Sequence, residues 1–170
     1  MSSNISFNQN SIYSNNWDVV VIGAGAAGLM TTLELPSSLK VLLLNRNTSK
    51  RSSSRWAQGG IAAVTRIEDS EESHASDTIN AGAGLCDHDA VKMFVENAPR
   101  SVERLLKIGM DFDRDFGRLS TTLEAAHSHR RVLHVKDRTG KALVDILHEQ
   151  VDQRDNVLHQ RGIRVTQIWV

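Results

Sequence analysis

Gly23-Ala24-Gly25-Ala26-Ala27-Gly28 follows directly on the apolar run Val19-Val20-Val21-Ile22. Glycines at G-x-G-x-x-G spacing, after a strand and at the opening of a helix, suit a pyrophosphate. Gly23 permits a tight turn, Gly25 lets the backbone approach the phosphates, and Gly28 lets the helix pack close to the strand. The helix N-terminus adds free N–H groups and a positive partial charge. The bland alternative is a Gly/Ala-rich turn without a ligand, and the flanking strand and helix favour the dinucleotide.

A second stretch, "SSSRWAQGGIAAV" from Ser52 to Val64, carries groups that can clamp a flat ring system. Ser53 and Ser54 offer hydroxyls, Gln58 an amide, and Gly59 and Gly60 bare backbone. Its apolar second half sets it apart from a flexible Ser-rich linker. The acid expected at the end of the second strand to bind ribose is replaced by Asn45 and Arg46. Asparagine can still bond a ribose, and arginine can meet a phosphate or stack on adenine. The exchange weakens a nicotinamide dinucleotide more than a flavin dinucleotide, which makes many other contacts.

His127, His129 and His134 form an apparent cluster, with His127 and His129 at H-x-H spacing. No carboxylate or cysteine completes a set at metal spacing, and Arg130 and Arg131 repel a cation, so no metal is expected. Arg130 and Arg131 are expected to meet carboxylates or flavin phosphates. Glu124, taken alone, is a solvated loop glutamate. Cys86, with no base nearby, is expected to be a buried structural thiol. As the single cysteine it excludes an intrachain disulfide and agrees with a reducing compartment.

The elements that must position these groups can be traced along the chain. Val19–Ile22 is a buried parallel strand, Ala26–Leu35 a helix stopped by Pro36, and Lys40–Leu44 a second strand, which together make a β-α-β unit. From Asn47 to about Ser73 no periodicity survives, and a long functional loop is expected. A helix returns at "HASDTINAGAG". Asp87 caps another, with Ala90, Val91, Phe94, Val95 and Ala98 on one face. Pro99 is expected to open a further helix, ended by Gly109. "MDFDRDFGRLS" suggests a short hairpin. "DRTGKALVDILHEQVDQ" is an amphipathic helix with Ala142, Leu143, Ile146, Leu147 and Val151 inward, and "GIRVTQIWV" a strand. No linker between two cores is evident.

The chain has 170 residues, with 20 Lys plus Arg against 20 Asp plus Glu, a formal net charge of zero. That balance argues against nucleic acid and anionic membranes as general partners. No apolar run reaches the length of a membrane span. The first sixteen residues are polar, without lysine or arginine, and are expected to form a disordered tail rather than a targeting signal. The cytoplasm is the expected location.

Four segments in order, "VVVIGAGAAGL", "SRWAQGGIAAV", "DTINAGAGLCDHDAV" and "LEAAHSHRRVLHVKDRTGKAL", resemble the L-aspartate oxidase family, a branch of the succinate dehydrogenase and fumarate reductase flavoproteins. The resemblance runs from Asp18 to the last residue and corresponds to the first part of a family member. It implies an α/β, Rossmann-like FAD-binding domain with a parallel sheet over residues 17–170. This is the N-terminal part of the two-dinucleotide-binding flavoprotein fold, without the capping and C-terminal helical domains. It implies noncovalent FAD, because Ser53 stands where the dehydrogenase branch carries a flavin-linking histidine. The implied FAD contacts are Gly23, Ala24, Gly25, Ala26, Ala27, Gly28, Arg46, Ser53, Ser54, Arg55, Trp56, Ala57, Gln58, Gly59 and Gly60, with Val165 near the adenine.

Glu124 matches the glutamate that in aspartate oxidases lies near the substrate amino group, where a carboxylate favours L-aspartate over succinate. The implied reaction oxidises L-aspartate to iminoaspartate, with oxygen or fumarate as acceptor, on the route through quinolinate to NAD. Handover of the product to quinolinate synthase is implied as a partnership. The family's acid/base arginine lies in later segments, so no catalytic residue is assigned here. The alternatives are a succinate dehydrogenase/fumarate reductase-type flavoprotein and a non-catalytic FAD-binding remnant.

Overall fold

The structure, a computed structural model, describes residues 16–47 and 52–169. All but the last residue of the expected N-terminal tail lie outside the described residues. In chain order the elements are β1 (Val19–Ile22), α1 (Ala26–Glu34), β2 (Val41–Asn45), the one-turn α2 (Ser53–Trp56), β3 (Ile61–Ala62), α3 (Glu71–Ala81), α4 (His88–Lys107), β4 (Arg114–Asp115), β5 (Arg118–Leu119), β6 (Thr121–Thr122), β7 (Val132–Leu133), α5 (Thr139–Asp152) and β8 (Val157–Arg161). They form two compact units: residues up to Trp56 together with Leu143 onward, and Ala57–Ala142.

The first unit is built on a parallel sheet in the order β1-β2-β8. Val19 pairs with Val41, and Val41 with Val157. β2 is the middle strand and all five of its residues are buried, which is why it reads as an unbroken apolar run ending in asparagine. Helix α1 packs on β1 and β2 and buries Leu29, Thr32 and Leu33. A fully buried leucine such as Leu29 contributes about 1.5–3 kcal/mol. Leu35 is extended (φ −67°, ψ 141°), as a residue before proline must be, and this ends α1. The guanidinium of Arg154 closes that end by donating to the carbonyls of Leu33 and Leu35, 2.9 Å each, where a cation also complements the helix dipole.

The second unit holds α3 packed on α4 and a small antiparallel sheet in the order β3-β7-β6. The Ser70 hydroxyl caps α3 by accepting from the Ser73 N–H (3.1 Å), and Asp87 caps α4 by accepting from Ala90 (3.0 Å). β4 and β5 form the expected hairpin, turned by Phe116 and Gly117 with φ of 50° and 81°. Among the described residues no helix is long and apolar enough to cross a membrane.

Several expectations are corrected. The segment from Asn47 to Ser73 is not featureless. It carries α2, β3 and the α3 cap, because Ser52 accepts the Arg55 N–H and Arg55 pairs with Asp145. Pro99 opens no new helix but lies inside α4, where burial of Val95 and Val102 on either side carries the helix through the missing N–H. Of the expected face of α4, Val95 is buried and Ala90, Val91 and Ala98 are half-buried, but Phe94 is exposed; the buried stripe continues through Val102 and Leu105. In α5 the fully buried positions are Val144, Leu147, His148 and Val151, while Leu143 and Ile146 are half-buried. The last strand is Val157–Arg161 and not "GIRVTQIWV": Gly162, with φ of 81°, turns the chain out of the sheet.

Candidate functional site

In the first unit the glycine turn joins β1 to α1. Gly23 has φ of 105°, a conformation that excludes ordinary side chains. A Cβ on Gly28 would lie 1.8 Å from the Gly23 carbonyl oxygen, so only glycine lets α1 leave the strand this closely. A Cβ on Gly25 would lie 3.3 Å from the Ser54 hydroxyl. α1 has no capping side chain of its own. Ser54 Oγ accepts the Ala26 N–H at 3.2 Å instead, from 28 residues away. Ser54 is therefore a cap as well as a candidate ligand: a hydroxyl that accepts one bond still has its own hydrogen to donate to an anion.

A cleft of about 380 Å³ opens over this turn, lined by residues 22–25, 44–47, Ser52, Ser53 and Ile163–Val165. It gathers Gly23, Ala24, Gly25, Arg46, Ser53 and Val165 from the sequence-derived set. Ala26 forms the first turn of α1 beside it, Ala27 is exposed on that helix, and Gly28 supports the turn from behind. Asn45 is buried, with its side-chain oxygen accepting from the Asn47 N–H (3.4 Å), whereas Arg46 is exposed. Arg55 is engaged by Asp145, and Trp56 is exposed. The cradle has the features a dinucleotide requires: a glycine turn without side chains, a helix N-terminus, hydroxyls and a cation.

In the second unit Ala57, Gln58 and Gly59 are exposed, and Gly60 presses on the start of the β7 segment. A Cβ on Gly60 would lie 2.3 Å from the Leu133 carbonyl oxygen and 3.0 Å from Cε1 of His134. Glu124 lies in the loop between β6 and β7 and lines a cleft of about 390 Å³ with Asp113, Ser120, Thr122, His134 and Lys136. Its Oε1 is 3.3 Å from Nε2 of His134. The loop turns through Ala126, with φ of 68°, as the His127 N–H donates to the Glu124 carbonyl.

Arg131 sets the shape of that loop. Its side chain is fully buried and forks onto both oxygens of Asp69 (2.8 and 2.7 Å) while also donating to Asp77 (2.6 Å) and Ser73 (3.1 Å). Asp77 in turn accepts from the N–H and hydroxyl of Ser128, 2.7 Å each. The Ser128 N–H first, with Arg131 adding to it, brings the Asp77 carboxyl down to about 2. Burial would raise Asp69, but Arg131 and the Ser70 N–H outweigh it and hold that carboxyl below its ordinary value. Of the two expected roles for Arg131, the structure gives carboxylate pairing. Arg130 donates to the Thr121 carbonyl (3.1 Å).

The three histidines do not share one site. His127 and His129 both lie against the Arg131 guanidinium (3.3 and 3.4 Å), His129 also contacts Ser73 and Ser128, His127 sits at a tilt to His74 (5.6 Å), and His134 faces Glu124. Burial, then Arg131, lowers the pKa of His74. Among the described residues the one trio of metal-type ligands is His148, Asp152 and His159. There the guanidinium of Arg161, 3.3 Å from Asp152 and from His159 Nδ1, supplies the positive charge. Cys86 is half-buried rather than buried, packed where Gly82 has no side chain. Asp69, Asp77 and Thr122 escaped the sequence reading, since their partners lie many residues away.

Residues 18–170 match the family described as "FAD binding domain". The chain belongs to that family. Like this FAD-binding domain, an L-aspartate oxidase from Nostoc sp. PCC 7120 is 46% identical over 158 residues, covering 93% of this chain and 27% of that protein. One from Synechocystis sp. PCC 6803 is 50% identical over 144 residues, covering 85% and 26%. The chain thus spans about a quarter of the length of these relatives. Among solved structures, an E. coli quinol fumarate reductase variant superposes with a TM-score of 0.79 at 28% identity, covering 84% of this chain and 25% of that one. A flavocytochrome c3 fumarate reductase superposes with a TM-score of 0.81, covering 100% of this chain and 32% of that one; at 20% identity it supports the fold. The cofactor is FAD, in an α/β fold with a parallel sheet.

Proposed function

We propose that this chain supplies the FAD-holding and amine-recognising part of an L-aspartate oxidase, which converts L-aspartate to iminoaspartate with oxygen or fumarate as acceptor and feeds quinolinate and NAD synthesis in the cytoplasm. The observation that carries the reading is Glu124, a carboxylate on a lined cleft in a chain whose glycine turn is shaped for a dinucleotide. Bound FAD supplies the two-electron acceptor for oxidation of the amine. Gly23–Gly28, Arg46, Ser53–Gly60 and Val165 would hold it, without a covalent bond because Ser53 offers no ring nitrogen.

Glu124 attracts an ammonium, which L-aspartate has and succinate lacks. An uncompensated partner of a buried charge costs about 2–5 kcal/mol, and part of that range applies to this half-exposed carboxylate. The experiment is equilibrium binding of L-aspartate and succinate to the FAD-loaded protein and to its Glu124→Gln variant. The variant should lose aspartate affinity and keep succinate affinity. Equal effects on both ligands place Glu124 outside the substrate site and defeat the proposal. Acid precipitation of the loaded protein should leave the yellow colour in the supernatant; colour in the washed pellet would refute noncovalent binding.

A further inference from the structure

His134 is held unusually firmly for a residue beside a loop. Its carbonyl accepts the Asp113 N–H at 2.8 Å, and the next two residues are tied by Val135 N–H to Thr139 Oγ1 (3.1 Å) and Lys136 N–H to Asp113 Oδ2 (2.8 Å). Its ring is largely buried, with 17% of the side chain exposed, and Gly60 abuts it at Cε1. Nε2, next to that carbon, contacts Thr122 Oγ1 on β6 and lies 3.3 Å from Glu124 Oε1. Glu124 itself is 45% exposed and rides on a turn in which its carbonyl accepts the His127 N–H. Of the other charged groups lining the cleft, the Asp113 carboxylate accepts the Lys136 backbone N–H.

We propose that His134 is a positioning residue: its Nε2–H, shared between Thr122 Oγ1 and Glu124 Oε1, fixes the carboxylate so that its other oxygen faces an α-ammonium dicarboxylate in the cleft. This rests on the role proposed for Glu124. Only one neutral tautomer can do it. With the proton on Nδ1 instead, the ring would accept from the Thr122 hydroxyl and leave Glu124 without a donor. Pre-fixing a rotamer-rich side chain is worth about three- to tenfold in affinity.

The test uses the FAD-loaded chain labelled with nitrogen-15 histidine, the His134 signals being identified by their loss in His134→Gln. The expected long-range proton–nitrogen pattern is a protonated Nε2 and a bare Nδ1; the reverse pattern overturns the proposal whatever the substrate. L-aspartate and succinate affinities are then compared. His134→Leu should cut the aspartate preference about three- to tenfold. His134→Gln, which restores an N–H near the same place, should recover it. A preference unchanged in His134→Leu but lost in Glu124→Gln overturns the positioning role alone. A preference unchanged in Glu124→Gln defeats the proposed function, and the tautomer still decides whether the His134–Glu124 bond exists.

Discussion

Gly60 and Leu133 stand so close that a methyl group on the first would lie 2.3 Å from the carbonyl oxygen of the second. The loop carrying the proposed flavin contacts thus leans on β7, the strand just before His134. Gly60→Ala should destabilise the protein by about 1–3 kcal/mol, because backbone atoms must move to admit the methyl. Gly59→Ala is the control, since its Cβ would meet nothing within 4 Å. Thermal melts of the two variants should differ by several degrees; matching melts would show that the β7 segment yields freely.

Ser54 is expected to show two separable effects. Ser54→Ala removes the acceptor of the Ala26 N–H and should cost about 0.5–2 kcal/mol, as the loss of a helix cap does. It also removes a hydroxyl beside the proposed phosphate site, so the stabilisation conferred by added FAD should shrink as well. Differential scanning fluorimetry with and without FAD separates the two. An unchanged FAD increment would confine Ser54 to capping.

The Arg131 network makes an acid-side prediction. Asp77 falls from 3.8 to about 2 on folding, and Asp69 is lowered too. A carboxyl with a depressed folded-state pKa contributes its full stability above its unfolded value and loses it as the pH falls through its folded value. Urea midpoints of the wild type should therefore drop between about pH 4 and pH 2, while Asp77→Asn should flatten that part of the profile. Arg131→Met leaves Asp69 buried without its cation and should cost about 3–5 kcal/mol at neutral pH.

Ala126 holds φ of 68° in the turn that carries Glu124. A non-glycine residue pays about 1–2 kcal/mol to sit there. Glycine removes that cost but loses more entropy on folding, so Ala126→Gly should gain up to about 1 kcal/mol. A raised urea midpoint with an unchanged slope is the expected result, and a lowered midpoint would count against strain at this turn.

What could be seen in advance follows contact range. The β1–turn–α1–β2 unit was legible because its determinants are contiguous: four apolar residues, spaced glycines, and Pro36 as a stop. The caps Asp87 and Ser52 act within three residues, although Ser52 lies in a stretch without periodicity. Arg131 reads from the sequence as a cation for carboxylates or flavin phosphates, but Asp69 and Asp77 lie 62 and 54 positions away and carry no mark that links them to it. Phe94 and Pro99 misled because periodicity and backbone preference are local, whereas the choice of buried stripe in α4 is made by the elements packed against it. At Gly162 a single left-handed residue outweighed a β-prone run that looked like a strand.

Arg154 and α1 raise a question of timing. The carbonyls that Arg154 closes belong to residues 121 and 119 positions earlier in the chain. At ordinary rates of synthesis, about 5–20 residues per second, they wait roughly 6–24 s on the ribosome for that guanidinium. The β8 partner of β2 arrives only after it. The intervening unit, Ala57–Ala142, is one uninterrupted stretch and has emerged in full before then. A nascent chain halted before residue 154 would therefore leave the glycine turn at the head of a helix whose tail is still open, and that turn would be the last part of the chain to become protease-resistant.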